Sequence, residues 1–249
     1  MLLSAVMLLS ASAVTANTKT LSTMTISNGS YTGSQNPTSR DVIWDNYADD
    51  GTGNGLSSQL DQVYPFDSQV ADDFQLSSTA DVTGVHWWGQ FWNGAGYPNP
   101  VEFNVIFYAD DGSGNQPTGG PTDPTGTALA VYNYPSVTGV SYGTDKYEYD
   151  VALDPVFTAT GGVKYWVAIQ SVFAFSGVGQ WGWSTNGANE DIMHEGVQGF
   201  PLLGMNYWTT TTYGDQAFQL IGGAPVDTTP PVTTCAITGT NPVTITLTA

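Results

Sequence analysis

The chain is predicted to be all-β, an antiparallel β-sandwich of jelly-roll type, and three observations predict it. Between residues 41 and 223, short apolar runs alternate with turns rich in Gly, Pro, Asn and Asp. The runs keep a period of two. Val101, Phe103, Val105 and Phe107 share one face against Glu102, Asn104 and Tyr108. Tyr147, Tyr149, Val151 and Leu153 alternate with Glu148, Asp150 and Ala152, and Tyr165, Val167 and Ile169 with Lys164, Trp166, Ala168 and Gln170. Period two with β-branched and aromatic residues marks half-buried strands. No long segment holds the 3.6-residue period of a helix. About ten such runs occur, near Val42, Val70, Val85, Val101, Ala128, Tyr147, Val156, Tyr165, Gln180 and Ala217, and many short strands between turns favour a sandwich over a parallel α/β fold.

The 249 residues suffice for one large β domain or two ordinary ones, and 41% apolar content suffices for a core. Only 10% of residues are charged, and the net charge is −18. Such a surface repels phosphate backbones and anionic lipid, which argues against nucleic-acid and membrane-surface binding. It suits divalent cations, which prefer carboxylate oxygens. The single cysteine, Cys235, leaves no disulfide within the chain. It is either a small buried hydrophobe or half of a bridge to a partner beyond residue 249.

In chain order, Met1–Ala16 is expected to be a signal peptide. Leu2–Leu9 has the length of an apolar h-region, too short to span a bilayer, and Ala11-Ser12-Ala13 and Val14-Thr15-Ala16 offer small-residue cleavage sites. The usual basic n-region is missing. Residues 17–40 read as a leading arm, with one glycosylation acceptor pattern at Asn28. Residues 41–224 form the sandwich domain, with loops at 51–55, 110–127 and 186–203. Pro225–Pro231 is a Pro/Thr linker. Residues 232–249 give two short strands around a Gly-Thr-Asn-Pro turn.

Several short motifs follow one another along the chain: Trp44-Asp45-Asn46, Ser68 to Phe74 (SQVADDF), Val85 to Gly89 (VHWWG), Phe107-Tyr108-Ala109-Asp110, Tyr165 to Ile169 (YWVAI), Trp181-Gly182-Trp183, and Asp215 to Leu220 (DQAFQL) followed by Gly222. Together they resemble an uncharacterised β-sandwich module of secreted bacterial and archaeal surface proteins, over roughly residues 41–223. The resemblance implies an extracellular, multi-module, non-catalytic context, and it brings no ligand. Residues 232–249 resemble the opening of an Ig-like repeat. An Ig fold needs about 100 residues, so the chain is expected to stop inside a second domain, with further Ig-like domains downstream.

Candidate chemistry centres on Ala71–Trp92, read as two strands joined by a polar turn. On the second strand His86, Trp88, Gln90 and Trp92 share one face and Val85, Trp87 and Phe91 the other. Aromatic faces stack on the C–H faces of sugar rings while polar neighbours hold hydroxyls, so the first set suits a glycan platform. Trp166 would extend it if its strand lies nearby. The competing reading packs Trp88 and Trp92 under a loop or against the second sheet.

Asp72 shares a face with Phe74 and Leu76 and should point to the core, and Asp215 precedes Ala217-Phe218 in the same relation. A buried carboxylate needs a cation or several donors, so the two are candidates to meet around structural Ca²⁺. Asp110 and Asp111 open a Gly-rich loop resembling half a calcium loop, without the closing glutamate of an EF-hand. Turn chemistry explains both patterns equally well.

The only His–Glu pair, His194-Glu195, has Gln198 where a zincin would place its second histidine, so His194 reads as a loop residue. No Gly-x-Ser-x-Gly elbow occurs. Glu102 and Glu148 could serve as a glycosidase pair only if their strands are neighbours. The leading expectation is a non-catalytic module of a secreted or cell-surface protein that binds carbohydrate or mediates adhesion, with calcium as a structural ion. An architectural stalk or surface-layer module is the first alternative, and a polysaccharide hydrolase the second.

Overall fold

The computed structural model describes residues 41–65, 67–121, 127–175, 178–189 and 192–223, with the backbone of two further strands at 234–237 and 245–248. The expected signal peptide (1–16), leading arm (17–40) and linker (225–231) lie outside the described residues. In chain order the strands are β1 (Val42–Asp45), β2 (Gly55–Ser57), β3 (Gln59–Leu60), β4 (Gln69–Phe74), β5 (Ala80–Trp92), β6 (Val101–Ala109), β7 (Ala128–Val137), β8 (Val140–Gly143), β9 (Lys146–Ala159), β10 (Tyr165–Val172), β11 (Gln180–Ser184), β12 (Val197–Phe200), β13 (Met205–Thr210), β14 (Phe218–Gly223), β15 (Thr234–Ile237) and β16 (Ile245–Thr248), with one short 3₁₀ turn at Pro201–Leu203.

Two seven-stranded sheets make the domain an all-β sandwich. The first is built on β5. Along one edge β5 pairs with β9, which carries β8 beyond it. Its other edge is shared: the first half pairs with β14, which carries β1, and the second half with β11, which carries β2. The second sheet runs β13-β12-β4-β10-β6-β7, and the two-residue β3 lies parallel to the end of β10. All other pairings are antiparallel. The chain crosses from the first sheet to the second at Ser58, between β2 and β3, so both sheets are tied together there.

The core lies between the sheets and is aromatic. Trp87 stacks on Tyr149 at 5.4 Å and meets Phe103 edge-on at 5.1 Å. Phe103 in turn meets Trp181, and Phe107 stacks on Phe157 at 4.3 Å. The alternation read from the sequence puts the right residues inside on β6, β9 and β10: Val101, Phe103, Val105 and Phe107; Tyr149 and Leu153; Tyr165, Val167 and Ile169.

Three expectations are corrected. The runs near Tyr147 and Val156 are one strand, β9, interrupted by a bulge: Ala152 and Phe157 are paired to β5, and Pro155 lies in the unpaired stretch between them, where a missing N–H costs no ladder bond. Tyr108, placed on the polar face of β6, is fully buried, and its hydroxyl donates to Gln69 Oε1 at 3.1 Å. β4 and β10 are buried on both faces, because Ala71, Ile106, Tyr108, Trp166, Ala168, Val197 and Trp208 form a second apolar cluster outside the second sheet. The strands β15 and β16 pair with each other as a two-stranded antiparallel hairpin.

Candidate functional site

Residues opposite one another in an antiparallel pair point to the same side. The register therefore places His86, Trp88, Gln90 and Trp92 of β5 on the outer face of the first sheet, together with Asp150, Glu148 and Lys146 of β9 and Gln219 of β14. The expected shared face is real, but its members differ in access. His86 and Trp88 are 7% and 6% exposed, packed edge to face at 4.2 Å. Both nitrogens of His86 face carboxylates, Nδ1 at 3.0 Å from Asp150 and Nε2 at 3.6 Å from Glu148. Gln90 and Trp92 are only half-buried.

Trp92 sits where the sheet has no side chains to lift it. A Cβ added to Gly182 of β11 would lie 2.6 Å from the Trp92 ring, and one added to Gly55 of β2 would lie 2.6 Å from Gln90 and 2.9 Å from Trp92. The indole thus reaches across β11 toward β2, with the Cζ3–Cη2 side of its ring close to Gly182 and Gly55. Beside it opens a shallow cleft of about 410 Å³, lined by Asn54, Gly55, Gln90, Trp92 and Tyr213 among others. Tyr213 is 55% exposed. An aromatic shelf with amide groups and a phenol at its rim is the arrangement that stacks a sugar ring and holds its hydroxyls.

The loop that brings Asn54 and Gly55 to this cleft is pinned by one lysine. Lys146 Nζ donates to Asp49 Oδ2 at 2.9 Å and to the carbonyls of Gly51 and Gly53 at 3.0 Å each. Asp49 Oδ1 accepts the N–H groups of Gly51 and Gly53, and Tyr142 donates to Oδ2 at 2.6 Å. Burial by itself would raise the Asp49 pKa, but the Tyr142, Lys146 and backbone hydrogen bonds together hold it below the ordinary carboxylate value.

Asp72 and Asp215 lie close enough for the charge of one to act on the carboxyl of the other. Both are fully buried. Asp72 accepts hydrogen bonds from the backbone N–H of Gln216 and of Asp73 and from Asn46 Nδ2, and Asp215 accepts one from the N–H of Ile192. Burial first, then the Asp215 charge, pushes the Asp72 carboxyl well above its usual range. Asp110 and Asp111 lie far from this pair in role. Asp110 Oδ2 caps the N–H groups of Gly112 and Gly114, Oδ1 accepts from Trp166 Nε1 at 3.0 Å, and Asp111 caps Ser113. That is turn chemistry. Among the described residues, no group of three or more His, Cys, Asp or Glu side chains could hold a metal ion.

Trp166 does not extend the shelf. It lies on β10 in the other sheet, is fully buried, and packs against the His194 ring at 5.7 Å. Its neighbour Lys164 pairs with Asp73 and donates to the Gly114 carbonyl, fastening the 110–117 loop over the second sheet. Burial holds the Asp73 carboxyl above its ordinary value despite Lys164. The hydrolase pair is also corrected. Glu102 opposes Val172 on β6 of the second sheet, and Glu148 opposes Trp88 on β9 of the first; both point outward, on opposite sides of the sandwich, so they cannot flank one cleft.

Sequence reasoning missed Asn54, Gly182 and Tyr213. The motif Trp181-Gly182-Trp183 did carry a signal for Gly182. A glycine between two inward tryptophans leaves a side-chain-sized gap on the opposite face, and a neighbouring strand must fill it. No curated protein and no solved structure matches the chain significantly. Residues 42–221, most of the chain and nearly all of the sandwich, match the model of a domain of unknown function, DUF7901, and the protein belongs to that family.

Proposed function

We propose that the domain is a non-catalytic carbohydrate-binding or adhesion module of a secreted or cell-surface protein, and that its binding surface is the Trp92 shelf. One observation carries this reading: a half-buried tryptophan seated beside two glycines that leave room for its ring, with Gln90, Asn54 and Tyr213 around an open cleft. Burying an indole completely is the cheaper solution for stability, and six of the other tryptophans adopt it. A tryptophan held at the surface in a defined orientation favours ligand stacking. The location outside the cell and the further Ig-like domains rest on the leader-like segment and the resemblance of residues 232–249.

Calcium enters the proposal only at Asp72 and Asp215, where two buried carboxylates need relief of their charge. The test is retention of the purified protein on a panel of polysaccharides, with calcium and with EDTA, alongside a Trp92→Ala variant. Retention on one glycan class that Trp92→Ala loses while staying folded supports the reading. Retention unchanged in that variant removes the shelf from it. A melting temperature indifferent to EDTA removes calcium.

The second reading is an architectural module without a ligand. The burial of His86 and Trp88, the centre of the expected platform, favours it. A folded protein that binds nothing on the panel would support it.

A further inference from the structure

The shelf has a second side. Gln180 opposes Trp92 across the β5–β11 pair and Ser57 opposes Gly182 across the β11–β2 pair, so both share the outer face with the indole. They line another depression, of about 160 Å³, with Gln59, Asp61 and Phe175. Gly55 and Ser57, two residues apart on β2, thus border separate depressions, the first lined by Trp92 and the second by Gln180, its partner across the β5–β11 pair. Along β5, residues two apart on one face are about 6.6–6.8 Å apart, and opposed residues on paired strands are about 4.5–5.5 Å apart. Gln90 and Gln180 therefore place an amide on each side of the indole within about the span of a sugar ring and its linkages. Each depression also has its own aromatic wall, Tyr213 on one side and Phe175 on the other.

The charge of this surface is as informative as its shape. Asn54, Gly55, Gln90, Trp92 and Tyr213 carry none. The second depression holds one carboxylate, Asp61. Its Oδ1 accepts the N–H groups of Val63 and Tyr64 and its Oδ2 that of Phe175. Those oxygens are occupied in shaping the loop. Among the described residues no lysine or arginine lines either depression, and the whole chain carries −18. A uronate or sulfated polymer would meet repulsion, and the lysine nearest on this face, Lys146 opposite Gln90, is already paired with Asp49.

We infer that the site takes the interior of a neutral polysaccharide chain, bound through two subsites that continue across Trp92, rather than a chain end or a polyanionic glycan. This rests on the glycan-binding reading above and narrows it. Two subsites in series make affinity depend on chain length, because each further ring that finds a subsite adds contact without a second loss of translational freedom.

The test is titration of the purified full chain with a length series of neutral oligosaccharides, from one ring to six, and with uronate and sulfated polymers at low salt, followed by calorimetry and Trp fluorescence. The expected result is affinity rising about tenfold or more between the shortest and longest neutral ligands, no binding of the polyanions, and loss of all binding in Trp92→Ala. Gln180→Ala, which removes a surface amide that accepts from Asn93 Nδ2, should shrink the gain from length, weakening the longest ligands more than the shortest. Equal affinity for short and long ligands, or polyanions bound as well as neutral chains, overturns this inference and leaves the glycan-binding reading standing. A folded protein that binds no glycan overturns both.

Discussion

Trp92 rests on Gly182: the gap a Cβ would need at residue 182 is already taken, 2.6 Å from the indole Cη2 and 2.7 Å from the Leu56 carbonyl oxygen. Gly182→Ala must therefore either lift the indole or move β2 away from β11. Overpacking of this kind costs about 1–3 kcal/mol, which in a domain of this size lowers the melting temperature by about 2–4 °C per kcal/mol. Glycan retention should fall together with stability, and calorimetric melts with the polysaccharide panel measure both. A variant with an unchanged melting temperature and full retention would mean that Trp92 does not lie where we place it.

Trp88 and Trp92 are two residues apart on the same face and should respond in opposite ways to truncation. Trp88 is buried against His86, so Trp88→Ala should cost about 3–5 kcal/mol in urea unfolding. Trp92 is half-buried beside Gly182 and Gly55, so Trp92→Ala should cost less than half of that and abolish glycan binding. The sequence showed that these side chains share a face, because the period of a strand is two. It did not show what lies over that face. The loop around residues 49–55 comes from more than thirty positions earlier in the chain, and a pattern local to β5 carries no trace of it.

The same limit explains the rest of what was and was not legible. Asp72 is inward because its neighbours Val70 and Phe74 are, and the polar residue between them reads off the alternation. That the Asp215 charge acts on Asp72 depends on β4 and β14 belonging to facing sheets, which no pattern within either strand states. Whether Trp166 joins the platform turned on which sheet its strand entered, and nothing within a strand states that; it lies on β10, in the other sheet. The short strands β2, β3, β8, β12 and β13 escaped because runs of two to six residues rich in Gly, Ser, Asn and Thr do not separate from turns.

The buried Asp72–Asp215 pair makes a prediction about pH. The folded-state pKa of Asp72 is raised, by burial first and by Asp215 second. A raised carboxylate binds its proton more tightly in the folded state than in the unfolded chain. Stability from this group is therefore fully present below the ordinary carboxylate value near 4 and is lost as pH rises through the folded pKa. Melting temperature should fall as pH is raised above the ordinary carboxylate range, and Asp72→Asn should remove that slope and raise stability at neutral pH. Calcium separates the two ways of relieving the pair. If the ion binds there, millimolar Ca²⁺ flattens the slope in the wild type and does nothing in Asp72→Asn. A flat profile in the untreated wild type would overturn the assignment of Asp72.

Lys146 and Asp49 test whether the shelf depends on the pinned loop. Asp49 is buried, its side chain fully so, and Lys146 is the cation beside it. Removing the lysine leaves an uncompensated carboxylate and frees two loop carbonyls, so Lys146→Met should cost about 3–5 kcal/mol. Asp49→Asn in the same background should recover part of that, because the stranded charge is gone. The acid side carries its own signature. The pKa of Asp49 is lowered, so its contribution is present above the ordinary carboxylate value and is lost as pH falls through its folded value. Lys146→Met should shorten that acid limb. Asn54 and Gly55 follow the pinned segment directly and border the Trp92 cleft, so glycan affinity should drop in Lys146→Met even at temperatures where the variant is folded. Unchanged affinity in a demonstrably destabilised Lys146→Met would mean that the 49–53 loop supports the fold and not the shelf.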